Sequence, residues 1–259
     1  MAQPRIWLGV SLKMYFSYHQ TLAWCRDVVE LVRLHPAMQR GDVGLFVLPA
    51  YPSIAAVAEI FADTPVRYGA QDVCHAENGA WTGEVSASML QELGCSLAEI
   101  GHAERRRHFH EDNRQIAAKV AISLRHGLMP VLCIGEEQRC ESTQAIALCQ
   151  QQLAAALATA QQQGLSGSVL LAWEPQWAIG APQPAPEDFI RVVCAGLRQL
   201  PMPEGIDLQV IYGGSAGPGL IQRLAGDVDG LFLGRFAHDP QALKKIIDEA
   251  SVLLKERRL

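Results

Sequence analysis

Nothing in the 259 residues approaches the run of about 18 apolar residues needed to cross a bilayer. The opening MAQPRIWLGVSLKM carries too short an apolar run, with the wrong flanks, for a signal peptide. No long basic run occurs either: the formal net charge is −5, and HAERRRHFH, residues 102–110, is the one basic cluster. This argues against nucleic acid as a partner, because phosphate backbones are bound through clustered Lys and Arg. Among the seven cysteines (Cys25, Cys74, Cys95, Cys133, Cys140, Cys149, Cys194) there is no C-x-x-C spacing, and their number is odd. They read as reduced thiols in cytoplasm, not as a disulfide frame or a zinc site. The first apolar run is not followed by G-x-G-x-x-G, so a dinucleotide fold lacks its fingerprint.

What is present is enough apolar material for one large core. Hydrophobic residues make up 49% of the chain and charged ones 19%, which fits one domain over residues 1–259. Eight short apolar runs recur: Ile6–Val10, Val43–Leu48, Val66–Ala70, Leu97–Ile100, Met129–Ile134, Ser168–Ala172, Leu208–Tyr212 and Gly230–Leu233. Stretches of helical period lie between them, including Thr21–Leu34, Ile54–Phe61, Asn113–His126, Thr143–Gln163, Phe189–Leu200 and Gln241–Lys255. Eight such alternations without a break in composition predict an α/β fold, a single (β/α)8 barrel of the TIM type, in preference to an open doubly wound sheet.

In such barrels chemistry sits where strands end at the carboxyl face. Ser11 and Lys13 follow the first strand; His102, Glu104 and Arg105 follow the fourth. Glu174 follows the sixth, where AWEPQWAIGAPQP breaks an apolar run with one carboxylate and prolines bar a helix until about Glu187. The seventh ends in YGGSAGPG and the eighth in GLFLGRFAHDP; glycines there let backbone N–H groups approach an anion. Taken singly, the lysine reads as a solvated rim charge, the histidine as structural and the glutamate as a salt-bridged strand end. Lys, His, Glu and a Gly-rich anion site on one rim together suggest proton transfer on a small phosphorylated carbonyl compound.

The stretches SLKM, EIGHAERR, CIGE, AWEPQWAIG, YGGS and DGLFLG resemble the signatures of the triosephosphate isomerase family, in order and spacing along nearly the whole chain. The resemblance implies Glu174 as the base, His102 as a neutral electrophile, Lys13 as the cation facing substrate and Glu104 as a supporting carboxylate, the arrangement known for that family. It sets Ser11, Lys13, Gly180, Ser215, Gly234 and Arg235 against the substrate and makes Gln176–Pro186 a lid that excludes water. No cofactor and no metal are implied. A homodimer is: the segment Gln71–Glu84, too long for an ordinary βα connection, resembles the family loop that enters a partner subunit. Trp81 would be buried there, Thr82 would reach the Ser11–Lys13 region of that subunit, and Glu84 would lie near Arg105.

The chain departs from the family at substrate-facing positions. Ser11 and Leu12 stand where Asn and Trp are usual, GAPQP (180–184) replaces a Gly-Thr-Gly-Lys tip, and Gly234-Arg235 replaces two glycines. Serine opens space away from the phosphate, which a four-carbon substrate needs and a three-carbon one does not. This resembles the branch that isomerises tetrulose phosphates, converting L-erythrulose 1-phosphate to D-erythrulose 4-phosphate. The alternatives are isomerisation of dihydroxyacetone phosphate and glyceraldehyde 3-phosphate, and a non-catalytic anion-binding barrel. A metal site on HFHED, residues 108–112, is disfavoured because those side chains are expected to be solvated. Cys133 and Glu136 are expected to close the fifth strand without a chemical role.

Overall fold

Each apolar run forms a strand in the computed structural model, which describes residues 4–224 and 226–256. The reading of the chain's opening and of 1–259 as one domain extends to residues 1–3 and 257–259, outside the described residues. The strands are β1 Ile6–Ser11, β2 Val43–Leu48, β3 Val66–Ala70, β4 Leu97–Ile100, β5 Met129–Ile134, β6 Gly167–Trp173, β7 Ile206–Gly213 and β8 Gly230–Leu233. They pair in sequence order, all parallel, and β8 closes on β1 with Trp7 opposite Gly230 and Val10 opposite Leu233.

Two strands begin earlier than the apolar runs. Gly167 pairs with Ile206 and Ser168 with Asp207, because backbone pairing does not depend on side chains, whereas an apolar run marks only the stretch of strand that is buried. Likewise Ser11 closes β1 instead of following it.

Side chains alternate across each strand. One set, including Trp7, Phe46, Leu97, Leu170, Ile211 and Phe232, fills the barrel; the other, including Ile6, Leu8, Leu45 and Val47, joins the core under the helices. Phe46 lies across Gly9, where a Cβ would stand 2.1 Å from its ring. Following the inward set upward along the strands leads from Trp7 to Ser11, from Leu97 to Glu99 and from Leu170 to Glu174. The filling thus changes from apolar to polar and ionisable at the carboxyl face.

The HFHED segment is not solvated throughout. His110 ends the helix Ala103–Phe109 in a left-handed conformation, and Asp112 caps the helix Asn113–Arg125 by accepting from the Gln115 N–H. Glu111 is buried, its carboxylate 2.9 Å from both Arg105 Nε and Lys119 Nζ. Asp72 completes the cluster, 2.7 Å from Lys119 Nζ and 2.8 Å from Arg105 Nη2. Glu111 was misjudged because its charge belongs to a buried network that joins elements distant in sequence. The network ties the start of the long segment after β3 to the helix that begins beside His102.

Removing one partner from such a cluster leaves charges buried without compensation, at a cost of about 3–5 kcal/mol. Lys119→Met is therefore expected to destabilise the fold by about that much in urea unfolding, whereas a mutation of exposed Lys245 should shift it by less than about 0.5 kcal/mol.

Candidate active site

The geometry of His102 follows from where the chain turns. Gly101 leaves β4 with φ +75°, and His102 becomes the N-cap of the helix Ala103–Phe109. Its Nδ1 accepts from the Glu104 backbone N–H at 3.1 Å, which requires a bare Nδ1 and so puts the proton of the neutral ring on Nε2. The ring is 4% exposed, and Nε2 has no hydrogen-bond partner among the described residues.

What Nε2 faces is Glu174, whose Oε2 stands 3.5 Å away. Glu174 is 9% exposed, and that oxygen too is buried without a hydrogen-bond partner. Its backbone N–H bonds to the Ile134 carbonyl at 2.8 Å, fixing it one residue beyond β6. Gly213 on β7 makes room for the side chain, since a Cβ there would stand 2.6 Å from Glu174 Cγ. Buried polar atoms are nearly always paired; two facing orphans mark a place built for a ligand.

Lys13 supplies the cation. It follows β1 with φ +49°, a left-handed backbone uncommon outside glycine, and its carbonyl accepts from Gln71 Nε2 at 3.0 Å. Nζ lies 2.7 Å from Glu104 Oε1. Burial opposes the lysine's charge, but the Glu104 bond and the surrounding carboxylates outweigh it and raise its pKa. Burial likewise opposes ionisation of Glu104, and the Lys13 bond and charge overcome it, lowering its pKa.

These groups share a cleft of about 680 Å³, which Ser11, Gly180, Ser215, Gly234 and Arg235 also line. Gly214, Ser215, Gly234 and Arg235, in the turns after β7 and β8, line the same cleft, and their N–H groups are not among the donors of the turn and loop backbone bonds of the described residues. Backbone N–H groups after strands seven and eight are the usual phosphate cradle of this architecture. Arg235 is exposed at the mouth, its Nη2 3.9 Å from the position of a Cβ on Gly180.

The segment 176–186 is held from both sides. Ser215 Oγ bonds the carbonyls of Ala178 and Ala181 at 3.0 and 2.7 Å, while the Tyr212 hydroxyl accepts from the Ala185 N–H at 2.9 Å. Pro182 and Pro184 offer no N–H here. At its start, Glu136 accepts from Trp173 Nε1 at 3.1 Å and from Trp177 Nε1 at 2.9 Å. Glu136 therefore does more than close β5: it joins the residue before Glu174 to the first turn of the segment over the cleft. The indole N–H of each tryptophan needed an acceptor, which was the signal in the sequence.

Sequence reasoning passed over Glu99. It lies inside an apolar run, yet its alternation with Leu97 turns it into the barrel, 3% exposed, where it accepts from Ser11 Oγ at 2.8 Å. Burial pushes its pKa up to about 7. The residues expected at an interface divide. Arg105 is engaged within the chain, whereas Trp81, 47% exposed, and Thr82 and Glu84 project from the segment after β3. The rings of Trp81 and His75 meet edge to face, with centres 4.7 Å apart.

A closed barrel with a lysine, a histidine and a glutamate at its carboxyl rim, sharing one cleft with the glycine-rich turns after β7 and β8, defines a class. The family model for triosephosphate isomerase matches residues 6–250, and the chain belongs to that family; it is an isomerase. Among its relatives, an L-erythrulose-1-phosphate isomerase of Pectobacterium atrosepticum is 55% identical over 255 residues, 98% of each chain. Proteins of the same name from Rhizobium rhizogenes and Brucella melitensis are 34% identical over 263 residues and 35% over 250, covering at least 94% of each chain.

The raised pKa of Glu99 has a consequence for stability. A carboxyl moved from its ordinary 4.5 to about 7 gives stability that is whole below about 4.5 and lost as pH rises through about 7. Glu99→Gln cannot ionise, so thermal melts should show it level with wild type near pH 4.5 and more stable at pH 8, by at most roughly 3 kcal/mol.

Proposed function

We propose that this chain converts L-erythrulose 1-phosphate to D-erythrulose 4-phosphate through an enediolate, with Glu174 as the base. The observation that carries the reading is the facing pair of unpartnered atoms, His102 Nε2 and Glu174 Oε2, 3.5 Å apart. With the phosphate in the N–H cradle, Glu174 takes the proton from C3. The electron pair moves into a C2–C3 double bond and onto the carbonyl oxygen at C2. His102 Nε2–H and the Lys13 ammonium stabilise that oxygen as its charge develops. The O3 hydroxyl gives up a proton as O2 gains one, and Glu174 returns a proton to C2. The carbonyl has moved one carbon with no net oxidation, so no redox cofactor is required. Segment 176–186 keeps water from protonating the intermediate or draining it by phosphate loss.

Ser11, at the position where the family usually has Asn, and the names of relatives covering 98% of the chain favour the four-carbon substrate. Arg235 extends the cradle as a cation for the phosphate. Exposed Trp81, with Thr82 and Glu84 on the same segment, supports a homodimer in which that segment enters the partner. Seven unpaired thiols, six of them buried, support a reducing cytoplasmic setting. Among the described residues, no helix is long and apolar enough to cross a membrane.

Purified protein assayed against both phosphates should favour L-erythrulose 1-phosphate over dihydroxyacetone phosphate, and Glu174→Gln should lose at least about a thousandfold in turnover. A tenfold preference for the triose would instead make this an isomerase of triose phosphates with an altered rim. Light scattering at micromolar concentration should give the mass of a dimer, and a monomer there would refute the assembly.

A further inference from the structure

We infer that Glu99 is a positioning residue that holds the Ser11 hydroxyl as the recognition point for the terminal hydroxyl of a four-carbon substrate. This rests on the tetrulose reading above and goes beyond the space that serine leaves.

Glu99 is an expensive residue where it stands. It is 3% exposed inside the barrel, above a layer that is otherwise apolar, and it belongs to no ion pair among the described residues. A hydrophobic side chain would fill the place at lower cost. The bond it makes there is to Ser11 Oγ, 2.8 Å away. Ser11 lines the cleft beside His102, Lys13 and Glu174, whereas Glu99 lies behind it. Hence Glu99 reaches substrate through Ser11.

A serine hydroxyl has one donor and two acceptor positions. Glu99 fixes one of them and stops the hydroxyl from rotating, which leaves the remaining valences directed to the cleft. If Ser11 donates to the carboxylate, it presents an acceptor; if a protonated Glu99 donates to Ser11, it presents a donor. A substrate hydroxyl can satisfy either, being both donor and acceptor. The hydrogen that a three-carbon substrate has in place of the hydroxymethyl group can satisfy neither. A site built to bond a hydroxyl rejects the analogue lacking it far more strongly than an apolar pocket rejects a missing carbon. Ser11 and Glu99 thus convert a difference of size into a difference of hydrogen bonding.

The test is the ratio of kcat/KM for L-erythrulose 1-phosphate to that for dihydroxyacetone phosphate, measured on wild type, Ser11→Ala, Glu99→Leu, Glu99→Gln and the Ser11→Ala/Glu99→Leu double variant. The ratio should fall at least about thirtyfold in Ser11→Ala and in Glu99→Leu, and no further in the double variant, because the two act as one unit. Glu99→Gln, which keeps volume and an acceptor, should hold the ratio within about fivefold of wild type. Parallel losses for both substrates, a ratio unmoved by Ser11→Ala, or effects that multiply in the double variant would overturn the inference. Should Glu99→Leu fail to fold, Glu99→Met, which keeps the length of the side chain without its hydrogen-bonding atoms, takes its place alone and in the double variant, with the same outcomes required. A wild type that prefers the triose overturns the tetrulose reading itself. A wild type that prefers the tetrulose with a ratio indifferent to both residues leaves that reading intact and removes only the role given to Glu99.

Discussion

His102 Nε2 and Glu174 Oε2 face each other across 3.5 Å, both buried and neither hydrogen-bonded to protein. Leaving two polar atoms unsatisfied costs a fold on the order of 1–3 kcal/mol each, and the surrounding architecture is what makes that tolerable. Closure of the barrel brings the ends of β4 and β6 to one rim. The Glu104 N–H fixes the imidazole from behind, the Ile134 carbonyl fixes the glutamate backbone, and Gly213 clears the volume that the carboxylate fills. Each restraint comes from backbone or from a missing side chain. That suits a pair whose positions must be held within a few tenths of an ångström.

Around this pair the rim carries four carboxyl groups given different tasks by their surroundings. Glu174 keeps its Oε2 unpartnered beside His102. Glu104 is paired with Lys13, Glu99 is buried under Ser11, and Glu136 is held between two indoles. One residue type can serve as base, counter-ion, floor and hinge anchor because solvation and partners, not chemical identity, decide what a carboxyl group does. The proposed reaction uses this separation: the cation stays charged beside its own carboxylate, and the base stays free for the carbon-bound proton.

Much of this was legible in the sequence because chemistry and punctuation coincide there. Glu174 sits between an apolar run and a proline, and the glycine cluster from Gly213 and the single Gly234 follow short β-rich runs, so the rim is already marked in the sequence. Where apolarity was read as a property of a run, single residues were lost. Glu99 vanished into Leu97–Ile100 although strand alternation turns it inward, and polar Asp207 hid the start of β7. Glu111 was misread, and the bonds of Glu136 went unseen although its structural role was expected, because their partners, Lys119 and the two tryptophans, are brought to them only by the tertiary fold. Local pattern announces a charge that begins a loop; it is silent about one that is answered from across the barrel.

Proton transfer through Glu174 is the centre of the account, and isotope tracing tests it without any variant. Turnover of L-erythrulose 1-phosphate in D2O, followed by mass spectrometry and NMR of the product, should place one deuterium on the former carbonyl carbon in a substantial share of molecules. A carboxyl proton is acidic, so part of it exchanges with solvent before it is returned even under a closed segment, whereas a transferred hydride never exchanges. Complete conversion with no deuterium on any carbon of the product or of recovered substrate would contradict the account, which requires part of the transferred hydrogen to be exchangeable.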